Sequence, residues 1–179
     1  MIELDIRAER PGDVGAVRAL VRAAFGEDSD TPDFVEDVRA QAQVCLAEVA
    51  VVEGAIVGHS QWCDAPLIVG ATVTRAAYLS CLSADPALQR RGIGSALVRS
   101  GLKRLSAGGY AAATLLGDPA YYGRFGFSWA LAERIEAPHR SQGRGFQAIE
   151  LVAGALGAAS VGSDFPAVIA PTGPAPDTL

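Results

Sequence analysis

The chain has 179 residues, half of them hydrophobic and 20% charged, with a formal net charge of −5. That length suits one domain with a single sizeable core, and the absence of clustered Lys and Arg leaves nucleic acid or an anionic membrane no basic surface to hold. A mild negative charge suits a cationic partner and plain solubility alike.

The start, Met1 to Asp5, lacks the basic and apolar regions of a secretory leader, and no apolar run approaches the roughly 20 residues of a membrane span. Cys45, Cys63 and Cys81 are widely spaced in apolar segments, with no CxxC pair, and His59 and His139 stand far apart. Buried reduced thiols, no metal site and a cytoplasmic location are the expectation.

In chain order, Leu4 to Ile6 reads as a short strand. Pro11-Gly12-Asp13 caps a helix with Val14, Val17, Leu20, Val21, Ala24 and Phe25 on one face. Thr31-Pro32 starts a second helix, Thr as N-cap and Pro at the first helical position. Val44 to Val52 and Ala55 to Trp62 form a hairpin closed at Glu53-Gly54, and Ala77 to Ala84 is a further strand. From Gly92 to about Ala107 the pattern is helical, with Gly108-Gly109 as the stop. Ala111 to Leu116 is a buried strand, Asp118-Pro119 opens a very short helix that Gly126 terminates, and strands are expected near Trp129–Ile135 and Phe146–Val152. The last ten residues hold three prolines and no periodicity, which suits a loose tail. This order specifies an α/β sheet of about seven strands with helices on both faces.

The strongest local signal runs from Leu82 through Gln89-Arg90-Arg91-Gly92-Ile93-Gly94-Ser95. A strand passes through a turn into glycines at a helix start, where backbone N–H groups ahead of the first helical hydrogen bond can hold a phosphate. Arg90 and Arg91 add charge at the rim. A glycine-rich helix start that binds nothing fits the same residues. Leu97 stands where GxGxxG needs its last glycine, GxxxxGK[ST] is absent, and Gly94-Ser95-Ala96 is no GxSxG elbow.

The Gln89–Gly94 run resembles the Q/R-x-x-G-x-G/A pyrophosphate signature of the GNAT superfamily of N-acetyltransferases. Tyr122-x-x-x-Gly126-Phe127 is similar to that family's Y-x-x-x-G-F segment, and Gly117 to Phe127 resembles the GDPAYYxRFGF-type run of a bacterial GNAT subgroup. Glu53 to His59 looks like the family's β2–β3 hairpin. The resemblance spans roughly Ile2 to Val152, which gives a GNAT domain over 1–152 and a C-terminal extension over 153–179. It implies a mixed, mostly antiparallel sheet and transfer of an acetyl group from acetyl-CoA to an amine, directly within a ternary complex. Family members commonly pair as homodimers.

By the same resemblance Leu82, Ser83 and Ala84 would pair with the pantetheine arm, and the Leu82 N–H would polarise the thioester carbonyl. Gln89 through Ser95 would cradle the pyrophosphate. Tyr122 would be the general acid: a phenol of pKa ~10 can protonate a thiolate whose conjugate acid has a pKa of ~8.5. Read from spacing alone, Tyr121 and Tyr122 pack beside Phe125 and Phe127; the resemblance moves Tyr122 to the site and leaves Tyr121 in the core.

Two features depart from the family pattern. The strand Ala77–Ser83 carries no carboxylate to serve as base, and Glu48, the only acid in the strand before the hairpin, is explained equally well by an exposed face. Asp118-Pro119 also replaces the more usual asparagine-containing approach to the tyrosine. Six acids between Glu27 and Asp37, with no base among them, would rim the acceptor pocket or form a solvated helix start. The acceptor is left open. An acyl-CoA-binding module without turnover, and a nucleotide-binding module of another fold, are the rival readings.

Overall fold

The computed structural model describes residues 3–41, 43–69, 71–135, 143–157 and 159–161. The elements are β1 (Asp5–Ala8), α1 (Val14–Phe25), α2 (Thr31–Ala40), β2 (Val44–Val52), β3 (Ala55–Asp64), β4 (Leu67–Val69), β5 (Thr72–Thr74) and β6 (Ala76–Ala84). They continue as α3 (Ile93–Ala107), β7 (Ala112–Leu116), α4 (Pro119–Tyr122), α5 (Trp129–Ala132), β8 (Phe146–Glu150) and β9 (Ala159–Val161). One sheet has the strand order β1-β2-β3-β6-β7-β8, and a small one the order β5-β4-β9. The described residues fall into two compact units. The first draws on Met1–Trp62 and Ser80–Gly101, the second on Cys63–Leu79 and Leu102 onward.

In the first unit β1 pairs antiparallel with β2, Ile6 opposite Ala50. Before α1, the Asp13 carboxylate takes hydrogen bonds from Arg7 at 2.6 and 3.0 Å and from the Arg10 N–H at 2.8 Å. These donors hold its carboxyl down at about 2. α1 buries Val17, Leu20 and Val21, one stripe at i, i+3, i+4 spacing, and stops where Gly26 takes φ 98°. α2 buries Phe34, Val35 and Val38. Its N-cap is Asp30, one residue earlier than the sequence predicts. Thr31 is drawn into the first turn and buried because the Ser29 hydroxyl accepts its N–H at 3.2 Å.

The β2–β3 hairpin turns on Glu53 (φ 49°) and Gly54 (φ 82°), the positive-φ pair of a type I′ turn. Two glycines set how closely α3 approaches β3. A Cβ on Gly58 would come within 2.5 Å of the Ile93 side chain, and one on Gly101 within 2.6 Å of the Trp62 indole nitrogen.

In the second unit β6 and β7 run parallel, Ala76 opposite Ala112. β8 returns antiparallel to β7, Leu115 opposite Gln147. Leu67, Ile135, Phe146 and Leu156 form a fully buried cluster. Beyond β8 the Glu150 carboxylate accepts the Gly154 and Leu156 N–H groups at 3.0 and 2.9 Å, and those bonds hold it below the usual carboxylate range.

The predicted strand over Trp129–Ile135 is instead a single helical turn, Trp129–Ala132. Ser128, in extended backbone, caps it by accepting the Leu131 N–H at 3.3 Å, and Ala132 and Ile135, three apart, are both fully buried. The apolar positions fit either period over so short a run, and the serine cap decides. The small sheet is the other addition: each of its strands has three residues, too short for alternation to announce. His139 and the proline-rich last ten residues lie outside the described residues, and no described helix is long and apolar enough to cross a membrane. Cys63 and Cys81 are buried and Cys45 half-buried.

Candidate functional site

β6 is buried through Leu82, Ser83 and Ala84, then leaves the sheet at Asp85, whose N–H reaches the Val57 carbonyl at 2.9 Å. The Asp85 carboxylate accepts the Ala87 N–H at 2.8 Å and starts the 3-10 turn Pro86–Leu88. Gln89 is extended, Arg90 takes φ 59°, and Gly92 takes φ 87°. Two left-handed residues two apart reverse the chain into α3. The first helical bond is Ala96 N–H to the Gly92 carbonyl at 2.9 Å, so the Ile93 and Gly94 N–H groups stand ahead of it. Arg90, Arg91 and Gly92 are exposed while Ile93 and Gly94 are buried. A Cβ built on Gly92 meets nothing within 4 Å, so the turn opens outward.

The tyrosine segment belongs to the second unit. Asp118, in extended backbone, caps α4: its side chain accepts the Ala120 N–H at 2.9 Å, and its carbonyl accepts the Tyr122 N–H at 3.0 Å. Pro119 enters at the first helical position, Gly123–Phe125 continue as a 3-10 turn, and Gly126 ends it at φ 96°. Asp118 therefore does locally the capping that an asparagine would do. Gly117 leaves the room that the Tyr122 ring occupies, since a Cβ there would overlap the ring carbons Cε2 and Cδ2. Tyr121 and Tyr122 pack beside Phe125 and Phe127, as their spacing predicts, but to different depths. Tyr122 is buried, at 6% exposure, and meets Phe127 edge-on at 6.1 Å. Tyr121, expected in the core, is only half-buried: it meets Phe125 edge-on at 5.6 Å, with the Arg124 guanidinium 4.3 Å above its ring.

The first unit also holds buried polar groups that no motif announced. Glu48 is fully buried, against the exposed face the sequence allows, and the Ser100 hydroxyl donates to it at 2.7 Å. His59 is fully buried, its Nε2 3.1 Å from Glu9, and Arg39 of α2 donates to the other Glu9 oxygen at 2.6 Å. Burial pushes the Glu9 carboxyl upward, but its hydrogen bond to His59 and the charges of His59 and Arg39 outweigh that and hold it below its ordinary value. Glu9 and His59 are 50 residues apart, so neither signals the other in sequence. Half of the six clustered acids are matched by α1. Arg18 bridges Asp33 and Glu36 at 2.6 and 2.7 Å, and Arg22 lies 4.0 Å from Glu27. Asp28, Asp30 and Asp37 are exposed. Among the described residues no group of three or more His, Cys, Asp or Glu side chains is placed to hold a metal ion.

Comparison with known proteins gives these features a family. Residues 5–130 match the model of an acetyltransferase (GNAT) domain. An N-acetyltransferase of Escherichia coli K12, YhbS, is 35% identical over 126 residues, which cover 70% of this chain and 74% of that protein. The crystal structure of E. coli YhbS in complex with CoA superposes with a TM-score of 0.76 at 30% identity, covering 90% of this chain and 91% of that one. A GNAT acetyltransferase from Brucella melitensis in complex with acetyl-CoA gives 0.67 at 30% identity, over 84% and 89% of the two chains. With this mixed α/β fold and a domain match over most of its length, the chain belongs to the GNAT family of N-acetyltransferases.

Proposed function

We propose that the chain transfers an acetyl group from acetyl-CoA to an amine, directly within a ternary complex. The observation that carries this reading is the exit of β6, where the left-handed Arg90 and Gly92 deliver an outward-open helix start. Arg90, Arg91, Gly92, Ile93, Gly94 and Ser95 would hold the pyrophosphate, with Gln89 leading into the turn. Leu82, Ser83 and Ala84 would lie along the pantetheine arm, the Leu82 N–H donating toward the thioester carbonyl as negative charge develops there. Tyr122 would give its phenolic proton to the departing thiolate. The relatives' complexes with CoA and acetyl-CoA support this choice of donor.

Gly92→Val tests the cradle. A valine would fill the open turn and force a β-branched residue to φ 87°, so acetyl-CoA affinity should fall tenfold or more, about 1.4 kcal/mol. Calorimetry on the folded variant reads this, and parental affinity would remove the pyrophosphate from this turn.

The exposed Asp28 and Asp30, beside the start of α2, favour an acceptor that arrives as a cation. The double variant Asp28→Asn, Asp30→Asn should raise the acceptor KM a few-fold at low salt and leave acetyl-CoA affinity alone. Exposed charges are screened over about 10 Å at 0.1 M, so the rise should vanish as salt is added. A KM that does not move at low salt returns these acids to a solvated surface.

A further inference from the structure

We propose that His59, held by the Glu9 carboxylate that Arg39 also binds, is the group that takes the proton from the acceptor amine. The inference rests on the acetyl-transfer reading above and supplies the base that β6 lacks.

The chemistry follows from which atoms are already engaged. Glu9 is ionised at neutral pH, because His59 and Arg39 hold its carboxyl down against burial. An ionised carboxylate only accepts hydrogen bonds, so the His59 nitrogen 3.1 Å from it, Nε2, must carry the hydrogen. In its neutral form, the form that can act as a base, the imidazole has one N–H, which leaves the lone pair on Nδ1. That atom is fully buried and has no hydrogen-bond partner, an arrangement native structures rarely leave unexplained. Pairing one imidazole nitrogen with a carboxylate fixes the tautomer and stabilises the imidazolium that forms when the other accepts a proton.

The place on the fold is equally specific. Gln61, two residues along β3 and therefore on the same face, donates from Nε2 to the Val35 carbonyl at 3.2 Å. Its Oε1 is a second buried acceptor without a donor. His59 Nδ1 and Gln61 Oε1 are thus two buried acceptors on one face of β3 with no donor. The Ser80 hydroxyl reaches the Gln61 carbonyl at 3.0 Å, and the Asp85 N–H the Val57 carbonyl at 2.9 Å. Between those two contacts, His59 comes opposite the Leu82–Ser83 step, the stretch assigned to the thioester. Among the described residues the charged group that meets His59 is Glu9, from the turn after β1, whose other oxygen takes Arg39, from the end of α2; β3 and β6 bring the neutral Gln61 and Ser80.

The step balances without a further reactant. The ammonium gives one proton to His59 Nδ1, which later releases it to solvent. The freed nitrogen forms the C–N bond as the C–S bond breaks, and its second proton replaces the one the thiolate takes from Tyr122. Nothing is oxidised or reduced.

Two measurements test this. In the parent protein, nitrogen-15 NMR of the imidazole should show His59 with hydrogen on Nε2 and a bare Nδ1. A resting tautomer with hydrogen on Nδ1 overturns the proposal whatever the activity. His59→Gln keeps an N–H for Glu9 and removes the base. Its kcat/KM for a primary amine should fall about 10²–10⁴-fold at neutral pH, with acetyl-CoA affinity unchanged. A variant that binds acetyl-CoA and keeps the parental rate removes His59 as base and leaves acetyl transfer standing. A parent that turns over no amine takes the proposal down together with the reading it rests on.

Discussion

Tyr122→Phe should lower kcat roughly 10²–10⁴-fold while acetyl-CoA affinity and folding stay nearly unchanged. The phenyl ring keeps what the structure shows the tyrosine ring doing. It fills the space left by Gly117 and meets Phe127 edge-on, and the phenolic hydroxyl is what is lost. Steady-state kinetics with calorimetry separates the two contributions, since a lost proton donor lowers kcat without weakening acetyl-CoA binding. Tyr121→Phe is the comparison. That ring is half-buried and keeps its contacts with Phe125 and Arg124 in either form, so the change should have little effect. Small and equal effects at both positions would make the pair structural, and would favour a protein that binds acyl-CoA without turning it over.

The second large effect is on stability. Gly101→Val should destabilise the fold by about 3 kcal/mol. A Cβ at this position would lie 2.6, 2.9 and 3.0 Å from three atoms of the Trp62 indole, and that ring is fully buried in β3. Valine gains a few tenths of a kcal/mol in helix propensity over glycine, far less than the overlap costs. A melting temperature lowered by about 6–12 °C would be the readout. Gly15→Ala in α1 should move the other way by about 0.5–1 kcal/mol, because a Cβ there meets nothing within 4 Å. Equal melting temperatures for the parent and Gly101→Val would show that α3 can shift away from the sheet.

The contrast between these two glycines shows what the sequence reveals and what it does not. Long periodic segments were legible: α1, α2, α3 and the β2–β3 hairpin lie within a few residues of their predicted positions, because stripes, glycine stops and the Glu53-Gly54 turn are local signals. The turn at Gly92 was legible for the same reason, since φ 87° is a demand made on one residue. The helical turn at Trp129 was not, because four residues fit two periods and a serine cap decided between them. Nor was the Glu9–His59–Arg39 network, whose members come from three separate elements and meet only after the chain has folded. Glu48 shows the reverse error: a lone acid in a strand suggests a solvent face, yet it is fully buried with the Ser100 hydroxyl, 52 residues on, donating to it.

The buried cysteines give the molecule two internal clocks. Cys81 lies in the first compact unit and Cys63 in the second, both shut away from solvent. A thiol reagent can reach either sulfur only during a transient opening, so each modification rate, extrapolated to excess reagent, counts how often the surrounding unit comes apart. Matching rates, both slowed by acetyl-CoA, would mean that the two units breathe as one cooperative body. Separate rates, with one alone slowed, would identify the unit that the ligand holds closed.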